Sequence, residues 1–236
     1  MNNSLVALCL LAMTGIAQGQ SAGSGAFRSV YAAKDVSLDT NPRSPFWRGA
    51  APVYAEMDTQ GKIIPGYRTE VRSRWTKGSL YLLYTCPYEE LYLNPSPVTT
   101  AETNELWNWD VAEIFIGSDF KNIRRYKEFE VSPQAEWVDL DINLDLPDHT
   151  VGWTWNSGFE VAARIDRKTK IWYAAMRIPF AAIDQRTPAA GTIFRANLFR
   201  SQGPPDRHKS ITWKPPMTAA FHTPERFGQL ELVMKK

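Results

Sequence analysis

Glu105-Leu106-Trp107-Asn108-Trp109-Asp110-Val111-Ala112-Glu113-Ile114-Phe115-Ile116-Gly117 is the stretch that decides the fold. It opens as a polar loop carrying two indoles. It closes as a β-branched and aromatic run broken by one carboxylate, Glu113. A run apolar on both faces predicts a central strand covered on both sides. A carboxylate there costs several kcal/mol unless it is hydrogen-bonded or charge-paired. Two readings follow. In one, Glu113 pairs with an arginine at a sheet edge. In the other, it takes hydroxyl protons of a polyhydroxylated ligand while the indole faces take its C–H groups.

Outward from this strand the chain reads as short strands between turns. Thr69 to Trp75 alternates, turns at Lys77-Gly78-Ser79 and returns through Leu80 to Thr85, a hairpin. Pro87 to Asn104 is a long loop with three prolines that delivers the chain to Trp107. Tyr126 to Val131 alternates and pairs with Glu136 to Asn143; Phe159 to Ile165 pairs with Ile171 to Ile178. Val30 to Leu38, Ala50 to Ala55, Phe194 to Arg200 and the segment after Phe227 offer further strands. Pro179 to Ile183 reads as one helical turn, and Ser201 to Pro216 as a loop. No helical period of useful length appears. The expected fold is all-β, an antiparallel β-sandwich of the immunoglobulin-like or jelly-roll-like kind with few short helical turns. Trp47, Trp75, Trp137 and Trp172 fall on strand positions and are expected in the core.

The chain has 236 residues and a net charge of +2, too small to argue for nucleic acid or acidic membranes. Residues 1–19 read as a signal peptide: Leu5 to Ala17 is apolar but too short to span a bilayer, and Ala17-Gln18-Gly19 is a small-x-small cleavage site. Residues 20–29 read as a flexible leader and 30–236 as one domain, secreted or periplasmic. Cys86 follows an apolar run and is expected as a packed thiol. Asp139, Asp141, Asp145 and Asp148 mark a solvated face or, less simply, a structural calcium site. His149, His208 and His222 show no metal-ligand spacing, and no nucleophile motif is present.

Three stretches in order resemble the family 9 carbohydrate-binding modules. They are Leu106 to Phe115, Phe194 to Arg200, and Trp213 with Phe221-His222-Thr223-Pro224-Glu225-Arg226-Phe227-Gly228. The resemblance implies a non-catalytic β-sandwich that clamps a sugar of an oligosaccharide or polysaccharide between two aromatic side chains, in support of glycan catabolism, with structural calcium in some members. It assigns the first platform to Trp107, the acid to Glu113 and a binding amide to Asn197, with Trp109 as an additional indole. Two positions depart from the family pattern. Phe221 stands where a tryptophan is usual, and Glu130 falls near the family's binding arginine. Arg200 or Arg195 is then the candidate to supply a cation. Two other classes stay open: a haem-binding redox domain of a related sandwich, with Met176 and His222 as candidate ligands, and an exported glycoside-active enzyme.

Overall fold

The computed structural model describes residues 25–235. The expected signal peptide and residues 20–24 of the expected leader lie outside the described residues. Twelve strands occur: β1 (Phe27–Tyr31), β2 (Val53–Ala55), β3 (Thr69–Trp75), β4 (Ser79–Pro87), β5 (Val111–Gly117), β6 (Arg125–Val131), β7 (Trp137–Asn143), β8 (Glu160–Asp166), β9 (Ile171–Pro179), β10 (Ile193–Gln202), β11 (Lys209–Thr212) and β12 (Gly228–Val233). The only α-helix among the described residues is the single turn α1 (Phe180–Ile183).

The hydrogen-bonded order is β7-β6-β5-β10-β12-β1-β3-β4-β9-β8, with β11 on β10 and β2 on β3. This path folds over on itself, so that β5, β6 and β10 pack face to face with β3, β4 and β9. Ala112, Ile114, Phe129 and Leu198 from one layer share a core with Val71, Leu82, Tyr84, Trp172 and Met176 from the other. The Tyr84 hydroxyl crosses the interlayer and donates to the Glu113 carbonyl at 2.7 Å. The expected sandwich is therefore present. It is antiparallel except at β1, which pairs in parallel with both β12 and β3 and joins the two layers.

Two strands differ from the sequence reading. β1 begins at Phe27, inside the stretch expected as leader, because the Phe27 ring is fully buried against Trp213. β11 occupies part of the expected loop 201–216, where its Ile211 and Thr212 are buried and its backbone extends β10. Trp47, Trp75 and Trp172 are buried, and Trp137 is partly so. Cys86 is fully enclosed, and burial pushes its thiol up to about 12.

Strand parity places the site. In β5, Ala112, Ile114 and Ile116 face the interlayer core, while Val111, Glu113 and Phe115 face outward. In β6 the outward set includes Tyr126, with Glu128 and Glu130 in the same alternation; in β7 it is Val138, Leu140 and Ile142. This outer face is not left to solvent. Leu106, Trp107, Trp109, Trp153, Phe221 and Phe227 cover it and leave a cleft.

Candidate functional site

The cleft has a volume of about 310 Å³, and Trp107, Glu113, Glu128, Ser201, Phe221 and His222 are among the residues that line it. Three separate stretches build it. The first is the 3-10 turn Leu106–Asn108, entered through Glu105 at φ 59°, a left-handed conformation. Leu106 is fully buried and anchors the turn, which leaves Trp107 half-buried at the rim. Asp110 ties this turn to the rest. Its buried carboxylate accepts from the Tyr92 amide at 3.0 Å, the Gly203 amide at 2.6 Å and the Gln202 side chain. The long loop, the indole turn and the end of β10 thus meet on one side chain. Burial raises the Asp110 carboxyl to about 6, with these donors opposing the rise.

The second stretch is the 218–227 loop. Phe221 stacks on Phe199 at 4.3 Å between centroids and 11° between planes, so one of its faces is already covered. The His222 ring stacks on Phe115, and its Nδ1 lies 2.7 Å from the Tyr126 hydroxyl. Burial first, then the nearby His149, lowers His222 to about 3, which keeps it neutral. The third stretch is the 3-10 turn His149–Thr154, which brings His149 and Thr150 to the cleft. Its Gly152 lies against β7 so closely that a Cβ there would sit 2.3 Å from the Asp141 carbonyl oxygen. A Gly152→Ala variant is expected to lose about 1–3 kcal/mol in a denaturant melt. It should also shift the His149 ring resonances, because the turn must move off the strand.

The floor is made of carboxyls. Glu113 and Glu130 are direct cross-strand partners, and Glu128 lies two residues from Glu130 on the same face. All three are at most 3% exposed, and one carboxylate oxygen from each lies within 4.8 Å of the others. The arginine that one reading of Glu113 anticipated is not its neighbour; a second glutamate is. Among the described residues the trio receives one protein hydrogen bond, from Ser201 Oγ to Glu113 Oε1 at 3.2 Å. Both oxygens of Glu130 and Oε2 of Glu128 meet no other donor, and the Glu128 and Glu130 carboxyls hydrogen-bond each other through a shared proton. The one basic group in ion-pair range is His222, whose Nε2 lies 3.9 Å from Glu128 Oε2. Burial raises all three carboxyls, Glu128 to about 7 and the other two well above the ordinary 4.5, and the charges of neighbouring glutamates add to the rise at Glu113 and Glu130.

The structure brings Trp107, Glu113 and Phe221 to one cleft and places the other sequence candidates elsewhere. Trp109 stacks on Tyr92, with centroids 4.7 Å apart, behind the indole turn. Asn197 is fully buried and spends its amide locally. Its Nδ2 donates to the Lys214 carbonyl, and its Oδ1 accepts from the Lys214 and Leu198 amides. Arg200 sits on the opposite face of β10 from Phe199 and Ser201, enclosed between the Tyr67 and Trp172 rings and bonded to Thr69 and Gln202. Arg195 bonds the Asp119 carbonyl. Met176 lies in the interlayer core and His222 on the outer face, so the two do not meet around a common ligand. The four aspartates find separate partners: Asp139 with Ser157, Asp141 with Lys127, Asp145 with Arg124, and Asp148 with Thr150. Glu128 and His149 are site residues that the sequence reading did not select; Glu130 entered it only as a departure from the family pattern and His222 only as a candidate haem ligand. The alternation of β6 was the available signal, but alternation alone does not say which face a cleft will use.

A family model described as carbohydrate family 9 binding domain-like matches residues 40–235. A protein of Arthroderma benhamiae described as an extracellular protein is 26% identical over 182 residues, 72% of this chain and 80% of the relative. Two solved structures share the fold. One is a family 9 carbohydrate-binding module from Caldicellulosiruptor kristjanssonii in complex with cellotriose: 13% identity, TM-score 0.60, covering 89% of this chain and 95% of that one. The other is a proposed carbohydrate-binding protein from Bacteroides uniformis: 14% identity, TM-score 0.65, covering 88% and 98%.

Proposed function

The chain belongs to the carbohydrate family 9 binding domain-like family, and from that premise we propose that it is an exported, non-catalytic carbohydrate-binding protein whose ligand enters the Trp107–Phe221 cleft. The observation that carries this reading is the meeting of an indole and a buried acid from one stretch with a phenyl ring from far along the chain, around one cavity of sugar size. Trp107 serves as the apolar platform. An indole face covering ~60 Å² of C–H surface contributes ~1.5 kcal/mol at ~25 cal/mol/Å². Phe221 contributes less, because Phe199 already covers one face. Glu113, Glu128 and Ser201 hydrogen-bond sugar hydroxyls from the floor. Association costs leave a weak binder, roughly micromolar to millimolar. Asn197 and Arg200 support the cleft from behind and do not touch the ligand.

The chemistry of the floor favours binding over hydrolysis. A retaining glycosidase needs one carboxylate ionised as a nucleophile beside one protonated acid. Here burial pushes all three carboxyls up together, and no cationic side chain among the described residues holds one of them ionised. Export rests on the apolar leader and on the extracellular description of the Arthroderma relative. No helix among the described residues is long and apolar enough to cross a membrane. A role in glycan catabolism follows from binding of this kind.

The test is calorimetric titration with cello-oligosaccharides and a glycan array, comparing the wild type with Trp107→Ala. The variant is expected to lose about tenfold or more in affinity, in line with ~1.5 kcal/mol, with its melting temperature within about a degree of wild type. A cooperative loss of folding would instead make that indole part of the structure's core.

A further inference from the structure

We propose that His222 is a ligand-contacting residue of the cleft and that Tyr126 is its positioning residue, fixing the imidazole so that Nε2–H is offered to the ligand. The ring is held on three sides. One face stacks on Phe115, with centroids 5.0 Å apart and 25° between planes. The His149 ring packs against it at 4.2 Å between centroids. Its Nδ1 lies 2.7 Å from the Tyr126 hydroxyl. Tyr126 is itself buried, stacked on Phe115 and edge-on to Phe227. A ring so confined presents one free nitrogen. His222 lines the cleft, and its Nε2 is neither enclosed nor hydrogen-bonded to protein among the described residues. The nearest acid oxygen, Glu128 Oε2 at 3.9 Å, is beyond hydrogen-bond reach.

Tyr126 decides which nitrogen carries the proton, because the tautomer of a neutral histidine follows the bond that its other nitrogen makes. The Tyr126 hydroxyl has no other partner among the described residues. The phenol therefore donates to Nδ1, and the ring proton sits on Nε2. Burial and the neighbouring His149 keep the imidazole from taking a second proton. Nε2–H is then a donor among acceptors. Glu113 and Glu128 accept from ligand hydroxyls, while the Ser201 hydroxyl is already donated to Glu113. A sugar hydroxyl or ring oxygen turned toward the 218–227 loop finds its donor in His222. One strand supplies both halves of the device. Tyr126 of β6 holds the ring, and Glu128, two residues on, lines the same cleft. This inference rests on the proposal that the cleft binds a carbohydrate, and it adds a donor and the residue that aims it.

Two measurements at pH 8 test it. In the glycan-free protein, heteronuclear NMR of the imidazole nitrogens is expected to find His222 protonated at Nε2 in wild type and as a mixture of both tautomers in Tyr126→Phe. Calorimetric titration then uses cellotriose and the tightest-binding oligosaccharide of the glycan array. His222→Phe, which keeps the stack on Phe115, is expected to lose about five- to tenfold in affinity, and Tyr126→Phe about threefold. His222→Gln, which returns an N–H to this side of the cleft, should recover part of the loss and serves in place of His222→Phe if that variant does not fold. In the His222→Phe background, Tyr126→Phe should cost nothing further, because it acts through the imidazole. Additive losses in the double variant, or a wild-type ring protonated at Nδ1, overturn the positioning role. Wild-type affinity in the His222 variants overturns the contact alone. A wild type that binds no saccharide removes the carbohydrate reading and the contact together.

Discussion

Asp110→Ala is expected to lower the unfolding free energy by about 3–5 kcal/mol, read as a drop in denaturant midpoint at an unchanged slope. The carboxylate is fully buried and accepts from Tyr92, Gly203 and Gln202 at once. Its removal leaves two half-buried backbone amides without their acceptor and the buried Gln202 amide with only the Glu90 carbonyl. Each orphaned donor costs about 1–3 kcal/mol, and the mutated site also loses its bonds. The damage should reach the cleft, since Trp107 lies three residues before Asp110 and Ser201 lies beside Gln202. Asp110→Asn keeps an acceptor and should lose less than half as much. Equal losses in the two variants would mean that the carboxylate does not tie these segments together.

Glu130→Gln is expected to have the opposite sign. In chelator at pH 8 it should stabilise the protein by about 1–3 kcal/mol. Glutamine keeps the shape and offers two N–H donors to the carboxyls on either side. The pH dependence follows from burial, which raises the Glu130 carboxyl well above its ordinary 4.5. A folded carboxyl that holds its proton more tightly than the unfolded chain contributes fully below about pH 4.5. That contribution is lost as pH rises toward the folded value. The variant has no such loss, so its advantage should be near zero at pH 4 and largest at pH 8. Glu113 and Glu128 titrate beside it, and removing the Glu130 charge eases the ionisation of both, which adds to the variant's advantage at high pH. A wild type more stable than the variant in chelator at pH 8 would refute the reading of an uncompensated carboxylate.

How much of this was legible in the sequence depends on the residue. The two-sided apolar run at Val111 to Gly117 marked a covered strand, and alternation marked β6 and β7, because burial on one or both faces leaves a local pattern. Glu113 stood out for the same reason: it was the one polar residue in that run. Phe27 was lost in a Gly/Ser/Ala-rich neighbourhood that resembles a linker. β11 is only four residues long, within a loop rich in Gly and Pro. Both strands exist through pairing with partners far along the chain. The alternation of β6 put Glu128 and Glu130 on one face, but nothing local says that the 218–227 loop and the indole turn close over it. Arg200 illustrates a rule that the sequence did contain. It alternates with Phe199 and Ser201, so once those side chains face the cleft, the guanidinium must face the other layer.

The parallel seam between β1 and β12 has a mechanical consequence. Phe27 to Val30 runs in register beside Leu230 to Val233. Tension applied at residue 25 and residue 235 therefore pulls the two strands along their length in opposing senses, and the backbone bonds of the seam share the load together instead of unzipping singly. Such a clamp lets the domain withstand force along that direction better than across it.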